Sequence, residues 1–117
     1  MKRLAATAAA AALFSAAGSA AAARVHLVAS PTTVAPGGSI RISAKSSPCP
    51  VHDQVTLTSA AYPGHAFGIG AVYGRVGSHG AFSVLARIRS TLRPGRYHVS
   101  VRCGGGNLGV LAYFRVR

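Results

Sequence analysis

The chain is 117 residues long and sets thirteen Lys and Arg against a single acidic residue, a formal charge of +12. That length holds one small domain. With Asp53 as its one carboxylate side chain, it excludes chemistry that runs on a pair of carboxylates.

The amino terminus reads as an export leader. Lys2 and Arg3 give a basic start, Leu4 to Ala17 an apolar run, and Gly18 to Ala23 a small-residue stretch of the Ala-x-Ala kind. The run is short and alanine-rich for a bilayer span. The expectation is a helical signal peptide over residues 1–23, cut near Ala23–Arg24, and a domain over residues 24–117. Without Lys2 and Arg3, eleven basic residues face one acid, a balance of about +10 on about 94 residues. Such a surface is drawn to anions outside the cell. Ten of the eleven are Arg, which fits a polyanion-binding surface and a GC-rich gene equally.

Taken in order, Arg24 to Ser30 alternates, with Val25, Leu27 and Ala29 on one face, and Pro31 interrupts it as suits an edge strand that switches or stops. After the Pro36-Gly37-Gly38 turn, Ser39 to Lys45 places Ile40, Ile42 and Ala44 inward. Ser46 to Asp53, with Pro48, Cys49 and Pro50, is a stiff loop. Gln54 to Ala60 is the next strand, with Val55 and Leu57 inward. Phe67 to Tyr73 offers Phe67, Ile69, Ala71 and Tyr73 in one phase, diluted by Gly68, Gly70 and Gly74 into a weak or bulged strand. Ala81 to Arg89 turns Phe82, Val84, Ala86 and Ile88 to the core. Pro94-Gly95 then opens the strongest alternation in the chain: Tyr97, Val99, Val101 and Cys103 against Arg96, His98, Ser100 and Arg102. Gly104 to Asn107 is a turn, and Leu108 to Val116 closes with Leu108, Val110, Ala112, Phe114 and Val116 inward.

About seven short strands, with turn signals roughly every ten residues, indicate an all-β antiparallel sandwich. The order "SPTTVAPGGSIRIS", a Cys-Pro after that strand, "LRPGRYHVSVRC", a Gly-rich turn and a last strand is similar to the secreted immunoglobulin-like domains of actinobacteria, over most of residues 25–117. The resemblance implies an immunoglobulin-like β-sandwich with Tyr97 in a tyrosine-corner-like position at the start of the penultimate strand. The chain departs from antibody domains in lacking Trp and in placing Cys49 beyond the second strand.

An even pair of cysteines in an exported chain is most simply a disulfide, Cys49 to Cys103; a metal pair lacks its close-spaced ligand pattern. In a sandwich both cysteines fall at the same end, so the bond should tie two loops there rather than pass through the core.

Little in the sequence carries chemistry. His52 and Asp53 adjoin, with no nucleophile motif around Ser46 or Ser47. His26, His52, His65, His79 and His98 are scattered. A metal site from His52, Asp53 and His65 has no tight spacing behind it. Gly104 to Gly109 formally matches a dinucleotide fingerprint, but a strand follows it where a helix is needed. The expectation is therefore no enzyme, no cofactor and no metal.

The outward arginines are the remaining candidates for binding anions. Arg102, Arg115 and Arg117 belong to the sheet of the last two strands, and Arg41, Arg87 and Arg89 to the other. With charge on both faces and Tyr113 the one outward aromatic near it, no dedicated nucleic-acid site is expected. Outward Leu85, Leu111 and Tyr113 mark at most a small contact patch. The functional expectation is a secreted, non-catalytic basic module, extracellular or associated with the cell wall, held to the bacterial envelope through anionic polymers. No transmembrane anchor is expected in the mature chain. The alternative is a module that binds an unknown protein through the loops at the disulfide end.

Overall fold

The computed structural model describes residues 25–64, 70–104 and 106–117. The expected leader over residues 1–23 lies outside them, as do His65, Phe67 and Ile69. Among the described residues there are eight strands: β1 (Val28–Ser30), β2 (Thr33–Val34), β3 (Ser39–Ala44), β4 (Gln54–Ser59), β5 (Gly70–Arg75), β6 (Phe82–Arg87), β7 (Gly95–Cys103) and β8 (Gly106–Val116). They form a three-stranded sheet, β1-β3-β6, and a five-stranded sheet, β2-β8-β7-β4-β5. The all-β architecture holds.

Two corrections follow from Pro31. The first strand is divided, which raises the strand count to eight. Beyond Pro31 the chain leaves β3 and joins the other sheet, where β2 runs parallel to β8 with Thr33 beside Arg115. The N–H groups of Arg115 and Arg117 donate to the carbonyls of Thr32 and Val34. The sheets are thus antiparallel in every pair but one.

Alternation carries most of the core. Ile40, Ile42, Val55, Leu57, Val84, Ile88, Val99, Val101, Phe114 and Val116 are buried in one cluster fed by both sheets. Val25 and Leu27 pack against it as expected, although β1 itself begins only at Val28. The hydrophobic effect therefore joins the sheets through their inner faces.

β5 reverses its expected phase. Ala71 and Tyr73 face solvent, Tyr73 at 58% exposure, while Gly70, Val72 and Gly74 point inward. Neighbouring groups already fill the space under the two glycines. A Cβ on Gly74 would run into Cγ2 of Val84 on β6, and one on Gly70 into the Pro63 carbonyl. Glycine carries no hydrophobic signal, so the inward row of this strand is silent in the sequence.

At one end of the molecule the β3–β4 loop, the Ser78–Gly80 3-10 turn and the β7–β8 turn meet. Cys49 and Cys103 are bonded there, their Cα atoms 5.7 Å apart. The bond ties the β3–β4 loop to the last residue of β7, so Cys103 is in a strand rather than a loop. The Ser47 hydroxyl donates to the Gly80 carbonyl, and the Ser47 N–H to that of His79, fastening the same loop to the 3-10 turn. Separated by 54 positions in the sequence, the cysteines close a loop worth about 4 kcal/mol on the chain-entropy account.

Candidate functional site

The wet face of the five-stranded sheet follows from the register. On β7, Arg96, His98 and Arg102 point out; on β8, Leu111, Tyr113 and Arg115; on β5, Ala71, Tyr73 and Arg75. Thr56 and Thr58 of β4 are half-buried between them. Pairing arranges these residues in rows. Arg96 lies opposite Arg115, His98 opposite Tyr113, and Ser100 opposite both Leu111 and Thr58. Arg102 lies opposite Thr56, which in turn faces Tyr73, and Gln54 faces Arg75.

Side-chain contacts tie parts of this face together. The Arg96 guanidinium sits 4.2 Å from the centroid of the Tyr113 ring, a cation–π contact. The His98 ring lies 6.1 Å from that of Tyr113, its direct partner on β8. The hydroxyls of Thr58 and Ser100 are 2.9 Å apart and share a hydrogen bond. Two shallow depressions open here. One is lined by Asp53, Gln54, Thr56, Tyr73 and Arg102, the other by Thr58, Arg96, Tyr97, His98 and Ser100.

Beneath the face, Tyr97 stacks on Phe114 at 6.1 Å, and its hydroxyl donates to the Arg93 carbonyl at 2.8 Å. Ser59, a buried polar residue that alternation alone does not single out, donates to the His98 carbonyl and accepts from the Ala61 N–H. Burial pushes the Tyr62 hydroxyl well above its ordinary pKa.

The other arginines are placed differently. Arg41 and Arg87 project from the outer face of the three-stranded sheet, Arg41 donating to the Ser83 hydroxyl and Arg87 to the Gly37 carbonyl. Arg89 does not share that face. It lies beyond β6, half-buried, and gives its guanidinium to the Ala60 carbonyl, which fastens the β6 end to the segment after β4. Arg117 is exposed past the end of β8. Tyr73 and Arg75, missed in the sequence, belong to the wet face because β5 has the reversed phase. An even spacing of Gly70 and Gly74 with Val72 was the available signal.

Asp53 lies at the disulfide end, near Gly104. His52 has a left-handed backbone, and its carbonyl accepts from Arg75 rather than its ring pairing with Asp53. Among the described residues, no three His, Cys, Asp or Glu side chains gather to hold a metal ion. Among them also, no helix is long and apolar enough to cross a membrane.

No protein-family model matches the chain, and no curated protein does. A solved structure of Pseudomonas fluorescens alkylpurine DNA glycosylase AlkC, bound to DNA containing an abasic site analog, is similar over 79% of this chain at 25% identity and a TM-score of 0.47. The likeness covers 29% of that protein, so this chain spans less than a third of it. The matched protein is an enzyme, which stands against the expectation that this chain is not one, and that expectation is not carried further. A TM-score of 0.47 carries no argument about what this chain binds or catalyses.

Proposed function

We propose that the mature chain is a secreted immunoglobulin-like module held at the bacterial envelope by anionic polymers. The observation that carries this reading is the charge. Arginines stand on the outer faces of both sheets, and the sequence has one carboxylate side chain to offset them. Cations so placed seek counter-charge from a partner.

Two features support the immunoglobulin-like part of the reading. The first strand divides between the two sheets, and the Tyr97 hydroxyl reaches back to a backbone carbonyl four residues upstream, as in a tyrosine corner. The disulfide supports an oxidising, extracellular setting.

The test is fractionation of the exported protein between culture medium and cell wall across a salt series. Retention at low salt and release at moderate salt is the expected result. Protein that stays in the medium at every salt, or stays on the wall at every salt, overturns the reading.

A further inference from the structure

Resting on the envelope reading, we infer that the envelope polymer is an acidic polysaccharide and that its docking site is the Arg96–Arg115 end of the five-stranded sheet's outer face. The starting observation is an unfavourable one. Arg96 and Arg115 stand directly opposite each other on β7 and β8, and both are exposed. Like charges in this position repel. Exposed Arg93 precedes β7, three residues before Arg96.

The one acidic side chain is too far away to relieve this repulsion. Asp53 sits beside Gly104, just past Cys103, while Arg96 lies seven residues back along β7, about 23 Å at strand rise. A carboxylate or phosphate from outside supplies what the fold withholds. Two arginines at directly opposed strand positions suit an oxyanion, because each guanidinium can give it a pair of parallel N–H donors.

The neighbouring rows choose the class of polymer. Tyr113 is 47% exposed and is held by Arg96 and His98, which fixes an aromatic ring beside the anion position. The apolar C–H face of a sugar fits such a ring. Beyond it, the hydroxyls of Ser100, Thr58 and Thr56 lead across two rows to Arg102 and Tyr73. Neutral hydroxyls in line match the hydroxyls that each acidic sugar carries beside its carboxylate. A single-stranded nucleic acid needs successive stacking rings. Tyr113 and Tyr73 instead stand on strands three places apart, with hydroxyls between them.

The experiment titrates the exported protein at low salt with polygalacturonate. Dextran serves as an uncharged polysaccharide, inorganic polyphosphate as a sugar-free polyanion, and a thymidine oligonucleotide as the nucleic acid. Three variants are compared after thermal melts confirm folding: R96Q/R115Q, R41Q/R87Q on the opposite face with the same charge change, and Y113A. Expected is a loss of about tenfold or more in polygalacturonate affinity for R96Q/R115Q and less than about threefold for R41Q/R87Q. Y113A is expected to weaken polygalacturonate while leaving polyphosphate binding within about twofold. Equal losses in the two double variants overturn the site but leave the envelope reading standing. Failure of the unaltered protein to bind any polyanion overturns both. Dextran bound as well as polygalacturonate, or the oligonucleotide bound more tightly, overturns the polymer class.

Discussion

Replacing Gly74 by alanine tests the reversed phase of β5 by the sign of its effect. In a solvent-facing strand position the change stabilises, by about 0.4–1 kcal/mol, because alanine restricts the unfolded chain more than glycine does. Gly74 faces inward, however, and its new Cβ would overlap Cγ2 of Val84 while lying 3.4 Å from Cγ1 of Val55. Val84 is 6% exposed and β-branched, so it cannot swing aside. Overpacking of this kind costs about 1–3 kcal/mol. Set against the backbone gain, Gly74→Ala should destabilise by about 1–2 kcal/mol, which lowers Tm by roughly 4–16 °C for a domain of this size. Urea unfolding followed by far-ultraviolet circular dichroism measures it, since the chain has no tryptophan to report by fluorescence. Adding Val84→Ala opens the space the new methyl needs, so the double variant should be more stable than the two single losses added together. A neutral or stabilising Gly74→Ala would refute the inward placement of Gly74, and with it the outward placement of Tyr73 and Arg75.

Three further outcomes are expected. Cys49→Ser with Cys103→Ser should lower stability by about 4 kcal/mol in the same urea assay, and a reductant should do likewise to the unaltered protein. Tyr97→Phe keeps the ring on Phe114 and loses only the bond to the Arg93 carbonyl, a cost of about 0.5–1.5 kcal/mol by thermal melt. The folded state raises the Tyr62 pKa, so stability is intact below the unfolded value of 10.0 and falls as pH rises above it, where only the unfolded chain releases the proton. Tyr62→Phe should flatten that alkaline decline in urea titrations run on both sides of pH 10.0.

Where a strand alternates in residue types that water treats differently, its inner face was legible in advance. β3, β6, β7 and β8 keep their expected inward residues, because a period of two in burial is written directly as a period of two in hydropathy. β5 was not legible, since its inward row contains two glycines whose job is to leave room for Val84 and the Pro63 carbonyl. The parallel β2–β8 pair was hidden for another reason. A two-residue strand has no period, and Pro31 announces a break without saying where the chain goes next. For the candidate surface, the sequence supplied the outward Arg and Tyr113, but only cross-strand register sets Arg96 against Arg115 and sends Arg89 to the Ala60 carbonyl.

The short β2–β8 pair also decides how the domain meets a mechanical load. Tension applied on the amino-terminal side of β2 and the carboxy-terminal side of β8 pulls two parallel neighbours in opposite directions along their common axis. The bonds from Arg115 to Thr32 and from Arg117 to Val34 then share the force in shear and must yield together, whereas an antiparallel hairpin pulled from its open end would unzip one bond at a time.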